Sequence, residues 1–368
     1  MAEIQGSYEQ RFAAVAETLA EQLDKVDLGA SVAVFVGGEP VVDIWGGYFD
    51  AARTTPWERD TMTTVNSTTK PMTALCALLL IDRGDLDPDA PVARYWPEFA
   101  AAGKENVLVR HVLSHTAGLA DWPGTMTVDE LYDWDACITR LAAAPPQWEP
   151  GTACGYHSMT FGYLIGELVR RISGRSLGTY FADEVAGPLG ADFHIGLSAQ
   201  DEHRVAPLVA PPGLTDEFSS AAAVERDGEP AAGGVRVKDA NSVAWHQAEI
   251  PAANGIGNAR SAALVQAALG NGGVARGARL LSEAGCERAW RPEFSGKDRI
   301  ITVEQTYSLG FGVFGTTFGW GGWGGSMVMT DPKSHLTVAY VMNQMLDPLT
   351  MTDGRGLGLV MAAYGGLT

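Results

Sequence analysis

The chain has 368 residues, of which 46% are hydrophobic and 19% charged, a globular balance that allows one large domain or two sharing a core. The formal net charge of -18 disfavours nucleic acid and anionic membrane surfaces as partners, because both would be repelled. No run of about 18 apolar residues is present, and residues 1–12 lack the basic and apolar regions of a secretory signal, so we expect a cytoplasmic protein without a transmembrane helix.

The N-terminal quarter of the chain predicts a helix, a hairpin and a second helix. Apolar residues at helical spacing indicate an amphipathic helix over residues 8–25. Residues 30–35 and 40–45 read as strands, and the Gly-Gly pair between them favours a β-hairpin. Residues 72–83 form a strongly apolar helix that ends at Gly84.

The middle of the chain, residues 85–260, is rich in proline, glycine and short helical patterns. Its clearest helix covers Thr160–Ser173 and is closed by Gly174. Residues 207–235 are weakly patterned, which predicts a long surface loop bordering the active site.

Strand patterns return near the C-terminus. Leu336–Met342 is an almost continuous apolar run of β type, and residues 357–364 predict a helix that packs back on the sheet. The two ends of the chain therefore share one antiparallel sheet flanked by N- and C-terminal helices, in an α/β (α+β) fold with a mostly helical second lobe. We place the α/β domain at residues 1–60 together with 256–368, and the helical domain at 61–255.

The cysteines and histidines do not predict a metal site. The chain contains four cysteines, Cys76, Cys137, Cys154 and Cys286. They form no CxxC pair and lack a histidine at zinc-finger spacing, so we expect buried free thiols. His111 and His115 have helical i,i+4 spacing without the glutamate of an HExxH motif, and we interpret them as structural. No phosphate loop or dinucleotide fingerprint is present, so we expect neither cofactor nor metal.

Ser67 and Lys70 are the candidate nucleophile and base. Their spacing puts both side chains on one face of a helical turn, and Pro71 indicates that this helix starts close to Ser67. The N–H groups at a helix start stabilise an oxyanion, and a lysine packed in apolar surroundings has a lowered pKa that lets it accept the serine proton. The competing GxSxG around Ser176 follows a helix rather than a strand, so we interpret Gly174 as a helix cap and Ser176 as the next helix start.

Five segments resemble, in order, the class C β-lactamases, penicillin-binding proteins and their esterase relatives. They are the SxxK of Ser67 and Lys70, residues 86–97, residues 113–119, residues 150–158 and residues 319–326. The resemblance spans roughly residues 30–345. It implies a β-lactamase-like fold with the active site between the sheet and the helical lobe.

Two departures from the family pattern point to esters. Ser158 replaces the asparagine of the Tyr-x-Asn triplet, which in β-lactamases helps to hold the substrate amide. Trp320 stands where β-lactamases and peptidases have the lysine that recognises the substrate carboxylate. A tryptophan there resembles the family VIII carboxylesterases of this superfamily, because an indole covers an apolar ester and cannot pair with a carboxylate.

The resemblance also implies roles for individual residues. Ser67 attacks the ester and Lys70 takes its proton. Tyr156, which Lys70 is expected to keep near ionisation, transfers protons to the leaving alcohol. The oxyanion hole is expected from the N–H groups of Ser67 and Trp323, the latter on the strand that follows Trp320.

The substrate-binding candidates are Trp320, Gly321, Gly322, Trp122 and Ser158. Tryptophan walls would exclude bulky acyl groups, so short acyl chains are expected. We expect His157 to point away from the site, and we do not assign it as the base.

The leading hypothesis is a serine carboxylesterase that acts on a small-molecule ester through an acyl-enzyme. The alternatives are an amide hydrolase of the same superfamily (a β-lactamase or a D-amino-acid peptidase), an acyltransferase, and a catalytically silent binding protein. An α/β-hydrolase would need Ser176 on a strand elbow, with His335 as the available histidine. The oligomeric state stays open, and a homodimer is allowed.

Overall fold

The computed structural model describes residues 2–219, 225–226, 229–230, 234–346 and 353–367. Its strands are β1 (Ile4–Tyr8), β2 (Gly29–Val36), β3 (Glu39–Gly47), β4 (Thr63–Thr64), β5 (Phe193–His194), β6 (Glu225–Arg226), β7 (Glu229–Pro230), β8 (Ile256–Gly257), β9 (Val274–Ala275), β10 (Ala278–Arg279), β11 (Phe294–Lys297), β12 (Glu304–Tyr307), β13 (Gly312–Phe314), β14 (Thr317–Gly321), β15 (Met327–Asp331) and β16 (Leu336–Met342). Its α-helices are α1 (Ala13–Lys25), α2 (Lys70–Arg83), α3 (Val109–Leu113), α4 (Val128–Leu131), α5 (Trp134–Ala143), α6 (Thr160–Ser173), α7 (Leu177–Phe181), α8 (Gly187–Leu189), α9 (Val237–Ala240), α10 (Val243–Gln247), α11 (Ala259–Gly270), α12 (Glu283–Glu287) and α13 (Arg355–Gly365).

Nine of these strands form one antiparallel sheet, in the order β1, β3, β2, β16, β15, β14, β13, β12 and β11. The pairing of β16 with β2, in which Tyr340 lies opposite Val32, joins the two ends of the chain. All seven residues of β16 are buried. Because successive side chains of a strand point to opposite faces, both faces of the sheet are covered at its centre.

Helices from both ends of the chain cover this sheet. The first and last helices, α1 and α13, pack against each other, with α1 on β2 and β3 and α13 on β16. A further helix, α11, packs on β2, β15 and β16. The predicted antiparallel sheet with N- and C-terminal helices is therefore confirmed.

Several elements match their sequence patterns. The runs Thr160–Ser173 and Leu336–Met342 are α6 and β16. The predicted hairpin is β2 and β3, and Gly37 and Gly38 both take positive φ in its turn. Gly174 ends α6 in the left-handed conformation, with φ 72°.

The first helix begins later than its pattern predicted. Residues 4–8 pair with β3 as strand β1, and Gln10–Phe12 form a 3₁₀ turn, so α1 covers only Ala13–Lys25. The local helical period extends over residues 8–12, but β1 forms because a distant strand edge is available to it.

The second part of the molecule is mainly helical and centres on α2, whose residues 70–81 are all buried. This helix packs against α6, α7 and α12. A small sheet in the order β4, β8, β5 lies in the same part of the chain. The domain boundaries at residues 60 and 256 stay predictions.

Three smaller expectations have different outcomes. The four cysteines are buried and free, as expected. The predicted loop 207–235 lies partly outside the described residues; its described start includes a bridge from Val209 to Gln344. Among the helices of the described ranges, none has both the length and the apolar character that crossing a bilayer requires.

Candidate active site

The candidate nucleophile sits on a strained turn at the start of α2. Ser67 opens a 3₁₀ turn that runs into α2, with Pro71 near the helix start as predicted. Asn66 has φ 48° and ψ -131°, a conformation rare for any residue but glycine. Its side-chain amide donates to Trp323 O at 2.8 Å, and its carbonyl accepts from Thr69 Oγ1 at 2.6 Å. These bonds hold the backbone in the conformation that presents Ser67.

Lys70 is placed and desolvated as a base requires. Its Nζ lies 3.2 Å from Ser67 Oγ and donates to Ala252 O at 3.0 Å. The side chain is fully buried, and this burial lowers the pKa of Lys70 well below its ordinary value. A neutral amine has a lone pair that can accept the serine proton, so burial prepares Lys70 for that role.

Tyr156 completes the cluster as a hydrogen-bond donor. Its hydroxyl donates to Ser67 Oγ at 2.6 Å, and its ring centroid lies 4.7 Å from Lys70 Nζ. Burial raises the pKa of Tyr156 to about 12, although the hydroxyls of Ser67 and Ser158 act in the opposite direction. The expectation that Lys70 keeps Tyr156 near ionisation is therefore wrong, because the effect of burial on the Tyr156 pKa outweighs that of the groups that lower it.

Trp323, the second donor expected in the oxyanion hole, lies in the turn between β14 and β15. Trp323 belongs to this turn rather than to a strand, which corrects the sequence prediction. Ser326 Oγ donates to Val65 O at 2.8 Å and lies 3.0 Å from Thr68 Oγ1, so the turn is tied to the nucleophile segment on both sides of Ser67. Within the described ranges, neither the Ser67 N–H nor the Trp323 N–H has a protein acceptor.

Gly322 permits this close approach. A Cβ at position 322 would lie 2.2 Å from Val65 O, 2.3 Å from Ser326 Oγ and 3.0 Å from Thr68 Oγ1. Its neighbour Gly321 is buried at the end of β14 and pairs with Met327. The two glycines thus let the strand end contact the nucleophile turn directly.

Aromatic side chains form the wall beside Tyr156. The Trp320 ring, only 5% exposed, lies 5.7 Å from the Tyr156 ring and 6.0 Å from the Tyr307 ring. Trp323 packs against Phe218 with centroids 5.8 Å apart. The structure therefore brings Trp320 and Trp323 to the site.

The other two predicted binding residues differ in their positions. Ser158 is exposed, in the segment between Tyr156 and α6, and its side chain bonds to Tyr156. Trp122 packs edge-on against Tyr163 of α6, with ring centroids 5.4 Å apart. None of its aromatic contacts in the described part of the chain reaches the cluster of Tyr156 and Trp320.

The histidines near the site are structural. His157 bonds through both ring nitrogens, to Gly155 O at 2.6 Å and from Leu119 N at 3.1 Å, which supports leaving it unassigned as a base. His111 Nδ1 accepts from Leu108 N at 3.3 Å at the start of α3. His115, which the sequence analysis interpreted as structural, lies buried among the rings of the site and is described below.

The competing serine is a helix cap, as predicted. Ser176 Oγ accepts from Thr179 N at the start of α7 and donates to Glu249 Oε1 at 2.6 Å. No strand elbow precedes it, since the residues before Gly174 belong to α6. Across the described ranges, no group of three or more histidine, cysteine, aspartate or glutamate residues has an arrangement that could hold a metal ion.

A serine and a fully buried lysine lie on one helical turn, with a tyrosine hydroxyl bonded to the serine and a turn of the sheet facing it. This arrangement is typical of an SxxK serine hydrolase. The Beta-lactamase family model matches residues 15–360, and the chain belongs to that family. The predicted β-lactamase-like fold is thereby confirmed.

Individual relatives agree with this assignment. The chain is 37% identical to Esterase/beta-lactamase LipL of Mycobacterium tuberculosis, covering 95% of this chain and 85% of that protein. It is 42% identical to a family VIII carboxylesterase of solved structure, with a TM-score of 0.90 and coverage of 98% and 99%. A penicillin-binding protein homologue from Caulobacter crescentus is 37% identical, with a TM-score of 0.89 and coverage of 99% and 100%. The chain is therefore a hydrolase of the carboxylesterase and β-lactamase family.

Proposed function

We propose that the protein is a serine carboxylesterase that hydrolyses small, neutral, short-acyl esters through an acyl-enzyme on Ser67. The observation that carries this proposal is the contact of Ser67 Oγ with both Lys70 Nζ and Tyr156 OH, beside a wall formed by Trp320 rather than by a cation. An indole offers no charge to a substrate carboxylate, whereas its face packs well on an uncharged ester.

Acylation uses the three polar groups in turn. The neutral amine of Lys70 takes the Ser67 proton while Oγ attacks the ester carbonyl. The N–H groups of Ser67 and Trp323 stabilise the negative charge that develops on the carbonyl oxygen. Tyr156, protonated at neutral pH because burial raises its pKa to about 12, gives its proton to the leaving alcohol. The proton held by Lys70 then restores the phenol.

Deacylation runs these steps in reverse, with water in the place of the alcohol. Tyr156 takes the proton of the attacking water and passes its own proton to Lys70. Lys70 then gives that proton to Ser67 Oγ as the bond between Oγ and the acyl carbon breaks. Lys70 is thus the base in acylation and the acid in deacylation, and Tyr156 has the opposite roles, as microscopic reversibility requires.

The preference for short acyl chains rests on the aromatic wall. Trp320 and Trp323 both border the nucleophile turn, and Trp323 is backed by Phe218. We expect p-nitrophenyl acetate and butyrate to be hydrolysed with a higher kcat/KM than the octanoate. Trp323→Ala keeps the backbone N–H but removes the indole, so it should raise the octanoate-to-acetate ratio. An unchanged ratio would show that this wall does not limit the acyl chain.

Labelling tests the assignment of the nucleophile. An organophosphonate should modify Ser67, p-nitrophenyl acetate should give a burst of p-nitrophenol, and Ser67→Ala should abolish both. Ser176→Ala is the matched control, because it removes a serine of the competing motif and should leave the burst intact. Full activity in Ser67→Ala, or a label on Ser176, would overturn the proposal.

A second activity, β-lactam hydrolysis, is supported by the name of the LipL relative, which is an esterase and β-lactamase. The same acyl-enzyme chemistry would serve, but the wall at Trp320 lacks the cation that holds a β-lactam carboxylate. We therefore expect a β-lactam to be a poorer substrate than a short ester, as a comparison of kcat/KM on one preparation would show. The expected cytoplasmic location stays a prediction of the sequence.

A further inference from the structure

His115 is a buried residue next to the site with no part in the chemistry described above. It lies just after α3, is fully buried, and has φ 58°. Histidine is among the few residue types enriched in this left-handed region. A buried polar side chain held in an uncommon backbone conformation calls for a structural explanation.

The backbone on both sides of Tyr156 is bonded to His115. The N–H of Gly155 donates to the His115 carbonyl at 3.0 Å, and the N–H of His157 donates to His115 Nδ1 at 3.1 Å. One residue therefore holds the amide that precedes Tyr156 and the amide that follows it. Because Nδ1 accepts, the proton of the neutral imidazole must lie on Nε2.

His157 braces the same segment from the other side. Its Nδ1 donates to Gly155 O at 2.6 Å, and its Nε2 accepts from Leu119 N at 3.1 Å. The segment 155–157 is thus fixed through two of its three amides and one carbonyl. The direction in which the Tyr156 side chain leaves this segment is set by the backbone that carries it.

Packing fixes the orientation of the His115 ring. It stacks on Phe161 at 4.9 Å, and it lies 4.8 Å from Tyr307, 5.4 Å from Trp320 and 5.6 Å from Tyr156 between ring centroids. A ring enclosed on these sides cannot turn Nδ1 away from the His157 amide without displacing its neighbours.

We propose that His115 is a positioning residue that holds Tyr156 with its hydroxyl on Ser67 Oγ. It bonds to the amides on either side of Tyr156, and the hydroxyl contact it supports measures 2.6 Å. This inference rests on the proposed role of Tyr156 as the proton donor. We call the hydrogen bonds of His115 to the amides of Gly155 and His157 the clamp. A shift of about 1 Å in a reacting group costs roughly 10²-fold in rate, so losing the clamp should lower kcat strongly.

Two variants of His115 distinguish the role of its hydrogen-bond acceptor from the role of its ring. His115→Asn keeps an acceptor at the same distance along the side chain and tolerates the left-handed backbone, but it loses the ring. His115→Phe keeps a ring and loses the acceptor. We expect His115→Phe to lower kcat for p-nitrophenyl acetate by about 10²-fold with little change in KM, and His115→Asn to lose less. If His115→Phe is the more active of the two, the clamp is refuted and packing is the role.

A packing control and a double-mutant cycle sharpen the test. Phe161→Leu removes one ring of the cluster but keeps the other rings and both hydrogen bonds of His115, so it should lower Tm and reduce kcat much less than His115→Phe does. In a Tyr156→Phe background the difference between the two His115 variants should vanish, because the group they position is gone. If Tyr156→Phe alone leaves kcat unchanged, the proposed role of Tyr156 fails. If Tyr156→Phe is slow and the difference between the His115 variants persists, only the clamp fails.

The tautomer of His115 can be measured on the unmodified protein, so this test does not depend on the folding of a variant. Imidazole ¹⁵N NMR at pH 7, with His115 assigned through its contact with the Tyr307 ring, should show an unprotonated Nδ1 and a protonated Nε2. A proton on Nδ1 of His115 would overturn the inference, because that nitrogen could not then accept from the His157 amide.

Discussion

The substitution Gly322→Ala tests how closely the sheet turn must approach the nucleophile. A methyl group at this position would lie 2.2 Å from Val65 O and 2.3 Å from Ser326 Oγ, whereas ordinary contacts of a Cβ begin at 3.4 Å. The turn must therefore move by about 1 Å, and Trp323 is the next residue in that turn.

The expected loss follows from the oxyanion hole. Removing one oxyanion donor costs about 10²–10³ in kcat, and forcing an extra methyl group into a packed contact costs about 1–3 kcal/mol of folding stability. We therefore expect Gly322→Ala to be folded, with a somewhat lower Tm, but slower by about two orders of magnitude. The loss should fall in kcat rather than KM, because the donor acts in the transition state.

The assay is steady-state hydrolysis of p-nitrophenyl acetate together with the rate of phosphonate labelling at Ser67. Gly358→Ala is the matched control, because a Cβ there would meet only Thr18 Cγ2 at 3.9 Å. This control should keep both rates. If Gly322→Ala labels and turns over at the rate of the control, the turn does not supply an oxyanion donor and the reasoning is refuted.

Three further outcomes are expected. Lys70→Met should raise the free energy of unfolding at pH 7, because burial lowers the pKa of Lys70 and the unfolded chain binds a proton that the folded chain excludes. Urea titrations should show that this gain disappears above about pH 10.4, the ordinary pKa of lysine. A lower free energy of unfolding at pH 7 would contradict the prediction. Lys104→Met should cost about 3 kcal/mol above about pH 10.4, where the pH-linked contribution of this lysine, whose pKa burial lowers to about 8, has disappeared. The loss is expected because the buried Lys104 Nζ donates to the carbonyls of Ala101, Ala142 and Ala144 and the variant orphans them. Equal stability above about pH 10.4 would mean that these bonds contribute nothing. In a pH profile, kcat/KM should fall on the acid side as Lys70 gains a proton. On the alkaline side it should stay level until Tyr156 ionises near its pKa of about 12. A decline of kcat/KM between about pH 8 and 10 would contradict these assignments.

Local patterns in the sequence predicted the elements whose cause is local. The apolar run of β16 and the helical period of α6 have the bounds that their patterns indicate. Pro71 also predicted the helix start, because proline is tolerated only in the first turn of a helix. Strand β1 was missed because its formation depends on pairing with β3, which no local period reveals.

Long-range contacts account for the parts of the site that the sequence did not reveal. The strained φ of Asn66 is held by Trp323, and the turn that carries Trp323 is held by its contacts with Val65 and Thr68. The protonated state of Tyr156 follows from burial, which residue identity alone does not give. These features depend on which segments meet in space, and a single sequence records only their order.

A structure of the phosphonylated enzyme tests the central claim most directly. We expect the phosphorus on Ser67 Oγ and one phosphonyl oxygen about 2.7–3.1 Å from the N–H groups of both Ser67 and Trp323. The Tyr156 hydroxyl should face the site of the leaving group. A phosphonate on another serine, or an oxygen turned away from the Trp323 N–H, would contradict this account of the active site.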